Sequence, residues 1–280
     1  MAEHALAIEL RADGCAVTRA DDGGVVLAQH AGAGARPYLH PIQAPGGSGV
    51  LTEDVPAHHP WQHGLYVGLN DVNGVGFWAE GLDPRRAATD GTFDSQLEGD
   101  PVARDGLARW TVGTEYLDRD GSPVFGDRQE WTVRTDDERL DLDMVWTLEA
   151  GHEVTFGEYG YGGLFLRMPF RAESGGSAMT SEGRSDDGVR ARWAAVTMPL
   201  PDTGREVQAA MFDHPENPGS PVPWRIDNEL GICPSPSIAG AWTLSAGIPV
   251  TFRYRLAVFA PPVTAGVVDD AWQRFAGEAR

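Results

Sequence analysis

The chain contains no lysine: all 22 of its basic residues are arginine. A Schiff-base nucleophile, a phosphate-loop lysine and a lysine general base are therefore excluded together. Cysteine is nearly as scarce. Cys15 and Cys233 are far apart and neither sits in a CxxC pair, which removes dithiol redox chemistry and thiolate metal sites. A reduced intracellular chain is the simpler reading, with one Cys15–Cys233 disulfide as the alternative. Positive charge is in deficit as well. With 22 basic against 41 acidic residues the formal charge is −19, which argues against nucleic acid, membrane surfaces and strongly anionic substrates, and for a neutral or cationic partner. No apolar run is long enough to span a bilayer, and the opening MAEHALAIELRADG lacks the basic and apolar regions of a signal peptide, so a soluble cytoplasmic protein is expected. Walker loops, GxGxxG after a strand, HExxH and the GxSxG elbow are all missing.

What the chain has in quantity is alternation. ALAIELR, CAVTRA and VVLAQH read as strands, with DDGG at 21–24 turning the chain between the last two. ARWTVGTEYLD, RQEWTVRT and RLDLDMVWTLEA follow, the latter two joined at Asp136 and Asp137. In RLDLDMVWTLEA, Leu140, Leu142, Met144, Trp146 and Leu148 share one face while Asp141 and Asp143 share the other, the pattern of a sheet with one wet face. VTFGEYGYGGLFLRMPF, RARWAAVTMP, REVQAAMFDHP and VTFRYRLAVFA continue the series, and residues 79–106 read as a polar surface excursion. Only the tail has helical spacing, through Val268, Ala271, Trp272 and Phe275. No repeat or linker divides the chain. The expectation is all-β: one large antiparallel β-sandwich over 1–280, with a closing helix at about 264–280.

Three polar clusters stand out against this background. The first, HHPWQHG at 58–64 with NDVNGVGFW at 70–78, lies in a stretch holding His40, His58, His59 and His63 of the eight histidines. His59 and His63 are four apart, so a short helical turn opened by Pro60 would project both imidazoles from one face, as would an extended strand. Two histidines do not complete a metal site, and a third ligand such as His40, His214 or Glu158 would have to come from elsewhere. Hydrogen-bonded loop histidines are the plainer alternative. The second cluster, FGEYGYGGLFLR, sets Glu158 among glycines and tyrosines, where aromatic neighbours can raise a carboxyl group towards acid/base use; a surface glutamate at a bulge is the alternative. The third, FDHPENPGSPVPWR, is a proline-stiffened loop carrying Asp213, His214, Asn217, Trp224 and Arg225. There Trp224 either contacts a ligand or fills a core gap, and Arg225 either clamps a substrate or pairs with a carboxylate.

RPYLHPIQAPGG, HHPWQHGLYVGLNDVNGVGFW, the YGGLFLR segment and DHPENPGSPVPWR together resemble the bacterial family of unknown function commonly labelled "methane oxygenase PmoA-like". In this chain Gln62 and His63 stand where many members carry a second histidine and an arginine. The enzyme in that label is a membrane protein, and the lack of a membrane span excludes its activity here. The resemblance implies instead an association with sugar utilisation and a sandwich similar to the galactose-mutarotase supersandwich. The expected function is acid/base proton transfer on a sugar, oxidised sugar or glycoside, as an epimerase, an eliminating lyase or a glycoside-cleaving enzyme, with a non-catalytic sugar-binding module as the alternative. His59, His63, Glu158 and His214 are the candidate catalytic groups. Contacts to a neutral sugar are expected from His40, His58, Asn73, Tyr161, Arg167, Asn217, Trp224 and Arg225. No cofactor is assigned firmly; a divalent metal on the histidines and a homo-oligomer are both left open.

Overall fold

Alternation decides the architecture of this computed structural model, which describes residues 3–278. In strand Arg139–Glu149 the five apolar residues from Leu140 to Leu148 are each at most 1% exposed. They face a core shared with the same-face residues of the neighbouring strands.

Two large antiparallel sheets supply that core. One has eight strands in the order Ser177–Thr180, Trp193–Pro199, Glu206–Asp213, Val250–Phe259, Arg139–Glu149, Pro123–Thr135, Leu107–Leu117 and Thr92–Arg104. The other has twelve strands. Its main path runs Leu6–Arg11, Gly14–Arg19, Val25–His30, Tyr38–Ala44, Leu65–Val72, Gly163–Leu166, Ile232–Pro234 and Trp224–Ile226. The expected β-sandwich is thus present, and the turn at 21–24 joins Gly14–Arg19 to Val25–His30 as its Asp-Gly chemistry predicts. Cys15 and Cys233 are both buried and unpaired.

Helix Ala265–Gly277 closes the chain and buries Val268, Ala271 and Phe275 against Trp193, Phe212 and Phe259 on the outer face of the eight-stranded sheet. That face is consequently less wet than the Asp141/Asp143 alternation predicts. Asp143 accepts from Arg255 Nε at 2.5 Å and Nη2 at 2.8 Å, and Glu278 holds the other edge of the same guanidinium.

The expected excursion over 79–106 is corrected in its second half. Thr92–Arg104 is a 13-residue edge strand paired with Leu107–Leu117. It escaped notice because an edge strand with two solvated faces beyond residue 96 needs no apolar alternation there. Turns fill most of residues 79–91 and recur at Asp105 and Gly106. Among the described residues no helix is long and apolar enough to cross a membrane.

Candidate active site

The twelve-stranded sheet has a second face, and parts of the polar clusters lie on it. Along Leu65–Val72, period two sends Leu65, Val67 and Leu69 to the core and Tyr66, Gly68 and Asn70 to the other side. Its partner Gly163–Leu166 does the same, with Phe165 opposite Tyr66. Tyr66, Phe165 and Trp78 therefore form an aromatic floor outside the main core, with Trp61 and Tyr161 packed against it. A Cβ at residue 68 would meet the Trp78 ring at 2.5 Å, so the absence of a side chain at Gly68 is what lets that indole lie across the strand.

Buried charges brace this floor from below. Arg36 is 1% exposed, its guanidinium lies 3.9 Å from the Tyr66 ring centroid, and it donates to the carbonyls of both Trp78, at 2.9 Å, and Trp61. Glu80 answers the charge at 3.4 Å and also takes Nε2 of His63 at 3.1 Å. Nδ1 of His63 is held by Asp54 at 2.6 Å. Burial alone would lower the affinity of His63 for a proton, but the bonds to Asp54 and Glu80 raise it above the ordinary histidine value.

Above the floor is a cleft of about 770 Å³ walled by three separate segments: His59 to Gln62, Trp78 to Thr89, and Arg225 to Glu229, with Tyr161 and Phe165 between them. Neither the helical turn nor the extended strand that would align the two imidazoles forms: His59 N and Gln62 N close tight turns on Pro56 O and His59 O, and His63 pairs with Asp54 across a bridge. The two histidines are thereby separated: His59 faces the cleft and His63 lies in the bracing network. Burial, and next the neighbouring His58, hold His59 below the ordinary histidine value, which favours the neutral ring. Its Nδ1 and the Oε1 of Gln62 are buried with no hydrogen-bond partner among the described residues. Both atoms are shut off from solvent, so the part of His59 that a ligand meets is the remainder of the ring that lines the cleft.

The far wall comes from a turn. Arg225 follows the core residue Trp224 on strand Trp224–Ile226, so alternation buries the tryptophan, whose Nε1 donates to Ala191 O at 2.8 Å, and turns the arginine to the cleft. Asp227 then accepts the backbone N–H groups of Glu229 and Gly231 at 2.9 and 2.8 Å, fixing the turn that presents Glu229. Burial would raise the Glu229 carboxyl group, but bonds from His58 and Arg167 hold it below the usual range.

His58, His59 and Glu229 place one ligand atom each within 4.8 Å of one another, the only such metal-type group among the described residues. The fit to a divalent cation is poor. Glu229 Oε2 already accepts from His58 Nε2 at 2.8 Å and from Arg167, and the Arg167 guanidinium lies 3.4 Å from that same His58 nitrogen. Arg167 is 1% exposed and anchored by Glu53 at 3.1 Å, so a fixed cation already occupies the place a metal charge would take.

The sequence-derived site residues are thus divided. His59, Tyr161 and Arg225 line the cleft; His58 and Arg167 stand behind Glu229; His63 braces the floor. His40 is bonded to Thr52 Oγ1 at 2.9 Å outside the cleft lining. Asn73 belongs to a tight Asn-Gly turn, at φ 50°, and accepts Thr155 N–H. Glu158 is exposed and lines no wall of the cleft. His214 is buried beneath the C-terminal helix, 5.1 Å from the Phe275 ring, while Asn217 bonds Asp213 at 2.7 Å. Neither joins His59. Sequence reasoning quoted Trp61, Gln62 and Trp78 in its first cluster without giving them a site role, and passed over Arg86, Asp227 and Glu229. The one available signal was IDNELG, a turn with two carboxylates directly after the Trp224–Arg225 pair.

A family model described as a family of unknown function (DUF6807) matches residues 7–273. That description carries no methane oxygenase label. No curated protein matches the sequence significantly. Similar solved structures include a galactose mutarotase related enzyme from Lactobacillus acidophilus, at 9% identity and TM-score 0.39, covering 93% of this chain and 98% of its own. A galactose mutarotase-like protein from Clostridium acetobutylicum matches at 9% identity and TM-score 0.41, over 92% and 99%. A candidate aldose 1-epimerase from Escherichia coli K12 matches at 12% and 0.43, over 91% and 99%. Likenesses this distant carry no functional weight, and the reading below rests on the cleft itself.

Proposed function

We propose that this chain, which belongs to the family of unknown function (DUF6807), is a carbohydrate-acting enzyme that transfers protons at a sugar bound in the His59 cleft. The observation that carries the reading is the position of the His59 imidazole on the wall of a cleft whose floor is aromatic. Aromatic faces accept the apolar C–H face of a sugar ring, and polar side chains on the walls bond its hydroxyl groups.

In this account the ring lies over Trp78 and Tyr161, whose ring centroids are 4.5 Å apart. His59 accepts a proton from the substrate, since only a neutral imidazole has the lone pair to do so. Tyr161 keeps its hydroxyl proton, because burial raises its ionisation above the ordinary value, and it donates to a sugar oxygen. Arg225 stands where a developing negative charge on a sugar oxygen would be stabilised. Asp227 and Glu229, ordered by the turn, hold hydroxyl groups on the opposite wall.

NMR-monitored turnover of a panel of aldoses, 3-keto sugars and glycosides tests this with His59→Asn and Asp227→Asn. Loss of turnover in the His59 variant, with folding retained, supports the proposal. Saturable sugar binding without product in the wild type would reduce the cleft to a recognition site.

A further inference from the structure

Three guanidinium groups line the cleft, those of Arg85, Arg86 and Arg225, on a protein whose formal charge is −19. Two of them have a carboxylate partner. Arg85 donates through Nε and Nη2 to both oxygens of Asp83, at 3.0 and 2.9 Å. Arg225 donates to Asp187.

Arg86 is different. Its Nη1 donates to Oδ1 of Asn70 at 3.1 Å, its Nη2 donates to the hydroxyl of Tyr159, and its guanidinium lies 5.1 Å from the Tyr159 ring centroid. Asn70 is itself 3% exposed, held on the outward side of strand Leu65–Val72. These neutral partners fix the guanidinium without cancelling its charge, and no carboxylate among the described residues forms an ion pair with it.

The carboxylates of the cleft bond groups other than Arg86. Asp83 holds Arg85, Glu229 holds His58 and Arg167, and Asp227 takes two backbone N–H groups. Arg86 is therefore the one guanidinium of the cleft with no carboxylate among the described residues at ion-pair distance, although Asp83 and Asp90 feel its charge from farther away.

Resting on the sugar reading above, we infer that the ligand is a sugar acid of the uronate class, its carboxylate bound by Arg86, in place of the neutral sugar that net charge alone predicts. A planar guanidinium matches a carboxylate through two parallel N–H bonds, whereas a hydroxymethyl group at the same ring position offers it one weaker acceptor.

The test is titration calorimetry with methyl glucuronide and methyl galacturonide against methyl glucoside and methyl galactoside, at low and high salt. The wild type is expected to bind at least one uronide roughly tenfold tighter than its neutral counterpart, with the gap shrinking as salt rises. Arg86→Gln should close the gap and Arg86→Lys should retain part of it. Equal affinity in the wild type, or a gap that persists in Arg86→Gln, overturns the inference. Equal binding of acid and neutral glycosides leaves the sugar cleft standing, whereas failure of all four to bind removes both readings. If Arg86→Gln does not fold, the wild-type comparison and its salt dependence decide alone.

Discussion

Nδ1 of His63 lies 2.6 Å from Oδ1 of Asp54, so the histidine of the His-Gly pair is a structural cation. Glu80 on the opposite ring nitrogen extends it to Arg36 and so to the carbonyls of Trp61 and Trp78. The next residue, Gly64, has φ 36°, and a Cβ at that position would meet Leu39 O at 2.2 Å, which explains why glycine follows the histidine.

His63→Gln is expected to cost roughly 2 kcal/mol of stability, because Asp54 and Glu80 lose a charged donor between them. The sign with pH follows from the raised proton affinity of His63 in the fold. Its contribution is full below the unfolded histidine value and is lost as pH rises through the higher folded value. Urea denaturation should therefore find the gap between wild type and His63→Gln larger at about pH 6 than at about pH 9.

Asp127 shifts stability in the same direction with pH, over a lower window. Its Oδ2 accepts from Tyr116, Gln129 and Trp146 inside the sandwich, yet burial pushes its carboxyl group up to about 6. A raised acid favours the protonated fold, so this residue withdraws stability as pH climbs from the unfolded aspartate value through about 6. Asp127→Asn should gain on the wild type across that window, by a few kcal/mol at most, as read from denaturation midpoints at several pH values. A difference that is flat with pH would contradict the buried, ionisable assignment.

Trp224 and Arg225 are adjacent in sequence but should behave oppositely. Trp224→Ala empties a fully buried site and is expected to cost about 3–5 kcal/mol, seen as a fall in thermal midpoint. Arg225→Gln should leave the midpoint nearly unchanged while weakening ligand binding, since its partner Asp187 is solvated.

Glu158 and His214 supply a further contrast with His59. His59→Asn is expected to lower turnover by about 10²–10⁴. Glu158→Gln should leave turnover unchanged, because its carboxylate is exposed and away from the cleft. His214→Gln should act on stability, through the contact with Phe275, more than on turnover.

The fold was legible wherever one face of a strand is buried, as in Arg139–Glu149, because alternation is then forced by the core. Thr92–Arg104 was not, since an edge strand owes its pairing to backbone bonds that no side-chain pattern records. The site was legible in part for a related reason. Loop composition pointed to His59, Tyr161 and Arg225, but their partners Arg86 and Glu229 arrive from distant segments through tertiary structure alone. The spacing of His59 and His63 pointed to a shared face, and the Asp54–His63 bridge divides them instead. Glu158 shows the converse: aromatic neighbours in sequence did not bury it.

Long-range ¹H–¹⁵N spectra of the histidine rings, recorded against pH and then with saturating sugar or uronide, test the central claim most directly. His59 is expected to titrate below the ordinary histidine value and to shift when ligand is added, while His63 titrates above that value and His214 is unmoved by ligand. A His59 signal that titrates normally and ignores every sugar, or a ligand response confined to His214, would contradict the assignment of this cleft.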